Sequence, residues 1–277
     1  MVADPQQPSL SFDPPQPVGS NEPDIEITIA PDGTVADIDQ SDQHVVRVRP
    51  DVPAIDKTFD YLVPPLMSEQ IRVGTIVRIA LHGRRVGGWV VEDRVEPPKG
   101  VTLQSLAKVS GWGPPPELFD LADWASWRWA GRPAALLNTA SPSSVVRGLP
   151  RAPVRTPPPA PIGSDEIHGL AQEALAGGVT TLRLAPAVDP YPLLLAAAAL
   201  GPILVAAPVA SMARHLGVRL RRAGVPVALL PDDWSLARAG WANVFGSRSA
   251  AFAPIASPAA IVVLDEHDES FQQEQAP

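Results

Sequence analysis

Thr75-Ile76-Val77-Arg78-Ile79 is the stretch that decides the fold in the first half of this 277-residue chain, because β-branched residues dominate it. Two similar runs flank it, Val45-Val46-Arg47-Val48 before it and Gly88-Trp89-Val90-Val91 after it. Pro and Gly turns separate the three runs. This pattern predicts a small β-rich domain over residues 44–149.

One helix is predicted within that domain, after the three prolines at 114–116. Apolar residues recur there at helical spacing, and they are Leu118, Leu121, Ala125 and Trp129. Gly131 supplies a stop for this helix. Trp124, Trp127 and Trp129 are predicted to pack rather than to stack on bases, because tryptophan is usually buried.

The second half of the chain alternates apolar strands with amphipathic helices, which indicates a parallel sheet covered by helices. Gly224 is expected to end the helix predicted at 209–223. The predicted elements are strand 179–184, a helix near 192–200, strand 203–207, helix 209–223, strand 225–230, a helix around 234–239 and a buried strand at 261–264.

Two segments are predicted to lie outside the folded domains. Residues 1–43 contain nine acidic residues and no Lys or Arg, with few large apolar groups, so they are predicted to be a disordered acidic tail. Residues 150–163, PRAPVRTPPPAPIG, are predicted to form a Pro-rich, semi-rigid linker. The remaining residues, 164–277, then form a second domain.

Composition excludes several classes of protein. The chain has no cysteine, which excludes disulfides, thiolate zinc sites and cysteine nucleophiles. The absence of a signal peptide and the short apolar run at 193–200 predict a cytoplasmic protein without membrane insertion. The net charge is −8, but residues 44–110 contain ten Lys or Arg against seven acidic residues. The acidic tail therefore masks a mildly basic domain.

Three segments of the chain, at residues 57–64, 246–254 and 265–268, together resemble the PriA (primosomal protein N′) replication-restart helicase family. Lys57-Thr58-Phe59-Asp60-Tyr61-Leu62-Val63-Pro64 is similar to the family's opening, together with the runs at 44–46 and 73–79. Residues 246–254, GSRSAAFAP, are similar to its GTRSALFAP segment, and residues 265–268, DEHD, to its DEEHD. The likeness covers residues 44–277 apart from the Pro-rich linker. It implies a mixed α/β fold, with a β-rich DNA-binding domain and a RecA-like parallel helicase lobe.

The resemblance implies that the β-rich domain holds the terminal base and hydroxyl of a nascent 3′ DNA end. A carboxylate accepts from such a hydroxyl, an aromatic ring covers a base, and glycine admits the strand closely. These roles fall on Asp60, Phe59 and Gly83. A position in the sheet core is an equally good interpretation of Phe59 and Tyr61.

Basic residues near the turn are candidate phosphate contacts. They are Arg78, Arg84 and Arg85, although a solvated charged turn is the simpler interpretation. The family's lysine near the end of the domain aligns with Gln104, and Lys108 is the nearest lysine. Lys108 is therefore the candidate for the lysine role.

The helicase lobe lacks the residues that bind nucleotide phosphates. Such a loop needs glycines, a Lys and a Ser or Thr on magnesium. The family's GVTGSGKTE is replaced here by residues 181–192, TLRLAPAVDPYP, which contain no glycine or lysine and three prolines. Arg183 lies on the wrong side of the turn to replace the lysine. We therefore predict a chain without ATPase or helicase activity, which needs no cofactor.

The acidic motif of the lobe is also altered. An ungapped alignment from His267 places Leu264 at the first magnesium-binding Asp, and Val209 replaces a carboxylate elsewhere. The candidate degenerate nucleotide site comprises Asp265, Glu266, His267 and Asp268. A metal site built from these four is disfavoured, because consecutive residues rarely converge on one ion.

Three hypotheses about function remain open at this point. The first is a replication-restart protein that binds forks and 3′ DNA ends without unwinding them. By resemblance, its partners are other restart proteins, single-stranded DNA-binding protein and the replicative helicase loader. The second is an ATP- and magnesium-dependent 3′-to-5′ helicase with an unorthodox nucleotide site. The third is a structural fragment, because family members continue through a second lobe with cysteine-bound zinc and this chain stops at Pro277.

Overall fold

The computed structural model describes residues 43–96, 100–153, 165–185 and 188–272. The predicted acidic tail, apart from residue 43, and positions 154–163 of the predicted linker lie outside these ranges. The described residues all belong to one unit, Asp39–Pro277. They form one antiparallel and one parallel sheet, which confirms the predicted mixed α/β class.

The first sheet contains five antiparallel strands in the order β2-β1-β4-β3-β5. Its apolar inner side forms a core that includes Val46, Tyr61 and Ile79. The backbone of Leu62 bonds to Gln104 and Leu106, which lie just before β5, so the two edges of the sheet meet and partly close it into a barrel. The strands are β1 (Val45–Pro50), β2 (Phe59–Leu62), β3 (Ile76–Leu81), β4 (Arg84–Asp93) and β5 (Lys108–Gly111).

Two helices cover the outer side of this sheet beside Trp89. They are α1 (Glu117–Trp129) and α2 (Pro133–Ala140), and Phe119 and Leu137 pack against Trp89. The helix predicted after the prolines is therefore confirmed. It ends at Trp129, and the residue that stops it is Ala130, in the left-handed conformation with φ +52°, rather than the predicted Gly131. The packing predicted for Trp124, Trp127 and Trp129 is wrong, because all three are exposed.

The second sheet is parallel, as predicted, with strand order β7-β8-β6-β9. Its strands are β6 (Ile203–Ala206), β7 (Val227–Leu229), β8 (Asn243–Gly246) and β9 (Ala260–Val263). Its helices are α3 (Asp165–Leu175), α4 (Tyr191–Leu200), α5 (Ala210–Arg222) and α6 (Trp234–Arg238). Gly224 follows α5 with φ +81°, as its role as a stop requires.

Two predicted strands of this half need correction. Residues 179–184 form no strand, because they pair with no neighbouring strand and a β run needs such a partner for its backbone groups. The run at 261–264 is only partly buried, because alternate residues of β9 lie on opposite faces of the sheet, and Ile261 is 64% exposed and Val263 49% exposed. None of the helices in the described ranges is long and apolar enough to cross a membrane.

Hydrogen bonds join the two sheets into one unit. The indole of Trp234 on α6 donates to the carbonyl of Ala140 at the end of α2, at 2.8 Å. The guanidinium of Arg238 donates to Gly113 at 3.0 Å and lies over Trp112. Burial lowers the pKa of Arg238. The β-rich half is therefore fastened to the parallel half through buried contacts.

Candidate nucleic-acid interface

Phe59 and Asp60 begin β2, and their side chains point to opposite sides of the sheet because strand residues alternate. Phe59 is half-buried against the inner core. Tyr61 points inward as well, and its hydroxyl donates to the carbonyl of Ala80 at 2.9 Å. Burial raises the pKa of Tyr61. Tyr61 is thus a core residue, and Phe59 and Asp60 do not face one common surface.

Asp60 lies on the outer side of the sheet, in contact with Arg47 of the neighbouring strand. Arg47 Nε donates to Asp60 Oδ1 at 2.8 Å, and a second nitrogen donates to Oδ2 at 3.4 Å. The same guanidinium donates to Glu92 of β4 at 2.9 Å. The bond to Asp60 and then the bond to Glu92 raise the pKa of Arg47. Arg47 was not singled out from the sequence, although its position opposite Asp60 follows once β1 and β2 pair.

The position and surroundings of Asp60 leave it able to bind a ligand. Its side chain is 15% exposed, so it can be reached from solvent. A carboxylate has about four lone-pair sites, and Arg47 uses only two of them. Arg47 also holds the carboxylate in one orientation. Asp60 can therefore accept a further hydrogen bond from a hydroxyl or an amine on the outer surface.

Gly83 lies in a two-residue turn between β3 and β4. His82 and Gly83 have φ values of +49° and +75°, which is the conformation of a type I′ hairpin. The space where a Cβ of Gly83 would lie is open. A nucleic-acid strand can therefore approach the backbone closely at this turn.

Three of the candidate basic residues share the outer side of the sheet. Arg78 is paired with Lys108 of β5, and Arg85 is paired with Ala80, two residues along β3 from Arg78. Arg84 alternates to the other side, beside the turn. All four basic residues are exposed, namely Arg78, Arg84, Arg85 and Lys108. Arg78, Arg85 and Lys108 form a positive surface on the outer side, and Arg78 on β3 lies three strands away from Asp60 on β2, about 14 Å measured along the sheet.

Gln104, not Lys108, lies beside β2. Its carbonyl accepts a hydrogen bond from the backbone of Leu62 at 2.9 Å, and the residue is exposed. Lys108 lies farther along, on β5. Gln104, which the resemblance aligns with the family's lysine, thus puts an uncharged residue beside β2.

The candidate degenerate nucleotide site follows β9 as an exposed turn that contains Asp265, Glu266, His267 and Asp268. Asp268 accepts a hydrogen bond from the backbone of Ser270 at 2.8 Å, which lowers its pKa. Leu264 is buried in the core of the parallel half. Within the described ranges, no group of three or more His, Cys, Asp or Glu residues is arranged to hold a metal ion.

The segment that precedes α4 contains an acidic residue close to the helix start. Asp189 accepts a hydrogen bond from the backbone of Tyr191, the first residue of α4, at 3.0 Å. Arg219 of α5 pairs with both oxygens of Asp189, at 3.0 and 2.6 Å, and lies over the ring of Tyr191. This ion pair lowers the pKa of Asp189. A carboxylate of the chain itself thus occupies this helix N-terminus.

Comparison with known proteins matches residues 47–142 to the 3′ DNA-binding domain (3′BD) model of PriA. The probable replication restart protein PriA of Mycobacterium tuberculosis (strain CDC 1551 / Oshkosh) is 27% identical over 266 residues, which cover 82% of this chain and 39% of that protein. The Mycobacterium leprae (strain TN) protein of the same description is 28% identical over 266 residues, or 82% of this chain and 40% of that protein. The chain thus spans about two fifths of the length of the relatives it matches.

Proposed function

From the premise of a PriA-family protein, which the matched domain and the curated relatives support, we propose that this chain binds DNA at stalled or abandoned replication forks by recognising the nascent 3′ end. The observation that carries the proposal is the arrangement at Asp60. This carboxylate is oriented by Arg47 on the outer surface of the matched domain.

Each element of this surface has a chemical use in end recognition. The Asp60 carboxylate accepts a hydrogen bond from a terminal 3′ hydroxyl, and it repels a terminal phosphate. The turn at Gly83 admits the strand backbone. Arg78, Arg85 and Lys108 neutralise phosphates farther along the DNA, because phosphate contacts position a protein without reading sequence.

A pair of DNA ends tests this proposal. Fluorescence anisotropy at one fixed salt concentration compares forked DNA that ends in a 3′ hydroxyl with the same DNA that ends in a 3′ phosphate, and a blunt duplex is the reference. We expect the 3′ hydroxyl fork to bind tightest. Equal affinity for the two ends would show that the chain does not recognise the 3′ terminus.

We also propose that residues 164–277 form a degenerate RecA-like lobe that neither binds ATP tightly nor hydrolyses it. Three features support this. The segment at 181–192 contains no glycine or lysine to hold phosphates. Asp189 puts a negative charge at the start of α4, where a phosphate gains most from the helix dipole. Leu264 is packed in the core where the family has a magnesium-binding Asp. These residues do not fit an ATP–magnesium complex.

The alternative is an ATP-dependent helicase with an unorthodox nucleotide site, and nucleotide binding separates the two. We expect isothermal titration with ATP and magnesium to show no binding tighter than about millimolar. The Arg214→Ala variant is the control, because its exposed ion pair with Asp232 lies outside the 181–192 segment. Micromolar binding that is lost on mutation of the 185–193 region, but kept in the control, would restore the helicase alternative.

We also propose partners and a location for this chain, on the basis of the replication-restart role. The chain would act in the cytoplasm with other restart proteins, single-stranded DNA-binding protein and the helicase loader. Pull-down of each purified partner with the full chain, in the presence and absence of forked DNA, tests these contacts one at a time.

A further inference from the structure

Three exposed tryptophans occupy the end of α1 within six residues. Their exposed fractions are 50% for Trp124, 79% for Trp127 and 57% for Trp129. The opposite side of the helix is buried through Phe119 and Ala122. Exposed aromatic patches of this kind mark binding sites, because tryptophan gains more from burial than most residues. We call these three residues the tryptophan face.

The geometry of the tryptophan face suits a planar ligand. The rings of Trp124 and Trp129 meet edge to face, with centroids 5.2 Å apart. This contact restricts both rings and leaves their outer surfaces open. Trp127, one turn after Trp124, is the most exposed of the three.

The tryptophan face lies close to the proposed site at Asp60. Arg49 lies two residues from Arg47 along β1, about 7 Å away and on the same outer side of the sheet. Arg49 pairs with Asp123, the residue before Trp124. At the end of α1, Arg132 donates to the carbonyl of Pro53 in the connection between β1 and β2, at 3.1 Å. The helix end and the start of β2 thus flank the same connection.

Charge at the tryptophan face favours a polyanion. Arg128 lies over the ring of Trp129, at 5.8 Å, and Arg132 is exposed just beyond the helix. The negative charge of Asp123 is balanced by Arg49. Glu117 and Asp120 lie in the first turn, at the far end of the helix. Exposed aromatic rings together with arginines are the chemistry that binds single-stranded nucleic acid.

We propose that the tryptophan face stacks against the bases of the single strand whose 3′ end lies at Asp60, so that the binding surface extends several nucleotides from the end. The inference rests on the proposed function, and it adds a second surface to that function. Unpaired bases expose their ring faces, whereas duplex DNA covers them. The tryptophan face therefore selects single-stranded over double-stranded DNA.

The test is the Trp127→Ala variant of the full chain, with Leu66→Ala as the control. Leu66 is 93% exposed, so both substitutions remove an exposed apolar side chain with little effect on folding. Anisotropy compares dT12 with a 3′ hydroxyl, dT12 with a 3′ phosphate, and a blunt duplex. We expect Trp127→Ala to weaken binding of both dT12 ends about tenfold and to leave duplex binding unchanged. Trp127→Phe retains a ring and should lose less.

The preference between the two ends separates this inference from the proposed function. Stacking away from the terminus weakens both dT12 ligands equally, so their affinity ratio should stay at the wild-type value in Trp127→Ala. A wild-type chain that binds no DNA refutes the proposed function. Wild-type binding that Trp127→Ala leaves unchanged overturns the stacking inference alone. A dimer in sedimentation experiments that Trp127→Ala dissociates would also overturn the stacking inference, because the tryptophan face would then bind a second copy of the chain.

Discussion

Replacing Asp60 with Asn keeps the shape of the side chain and removes its charge. In the folded chain, Asp60 accepts two hydrogen bonds from Arg47, at 2.8 and 3.4 Å, and its side chain is 15% exposed. Arg47 retains its bond to Glu92 in the variant, so the cation keeps a partner. We therefore expect a loss of about 1 kcal/mol in the free energy of unfolding.

The effect on DNA should be larger and confined to one kind of end. A hydrogen bond to a charged group is worth about 1.5–3 kcal/mol, which is roughly a tenfold to hundredfold change in affinity. Asn keeps an acceptor oxygen and loses the charge, so Asp60→Asn should weaken binding of the 3′ hydroxyl fork by the lower end of that range, about tenfold. Binding of the 3′ phosphate fork should stay the same or improve, because the repulsion between two negative groups is removed.

The assay combines anisotropy on the two forks with urea unfolding of each variant. Glu92→Gln is the matched control, because Glu92 contacts the same guanidinium but lies on β4 and not on β2. The control should leave the preference for the 3′ hydroxyl unchanged. If Asp60→Asn folds normally and still prefers the 3′ hydroxyl as strongly as the wild type, then Asp60 does not recognise the end.

Three further outcomes are expected. The double substitution Arg84→Ala with Arg85→Ala should weaken binding to every DNA, and it should lower the slope of log affinity against log salt by about 1 to 2. Anisotropy at several salt concentrations measures this slope, and an unchanged slope would contradict phosphate contact. Trp234→Phe removes the donor to the Ala140 carbonyl and should cost about 1–3 kcal/mol in urea unfolding, and an unchanged midpoint would contradict a role for this bond. The ion pair with Arg219 depresses the pKa of Asp189 from its ordinary 3.8, so the pair adds stability above about pH 4 that is lost as the pH falls through the folded pKa. Asp189→Asn should therefore lower the free energy of unfolding by about 0.5 kcal/mol at pH 7 and by less below pH 4. Unfolding curves at both pH values test this, and an equal loss at both would contradict it.

Local sequence patterns determined most of the secondary structure and the class of the fold. Sequence patterns predicted a helix where α1 lies, and they predicted the bounds of α4 and α5 to within one residue. The apolar runs predicted β6 and β7, because buried parallel strands must be apolar along their length. The motif around Phe59 and Asp60 likewise indicated a 3′ DNA-binding domain, because a motif of consecutive residues can be recognised from the sequence alone.

Tertiary structure alone decided which of these residues meet. Pairing of β1 with β2 brings Arg47 to Asp60, and strand order separates Asp60 from Arg78. The same applies to exposure: Trp124, Trp127 and Trp129 lie outside because Phe119 and Ala122 take the buried side of α1. Residues 179–184 have a β-type composition but no strand to pair with. Composition determines what a segment can form, whereas long-range pairing and burial determine which surfaces remain free to bind.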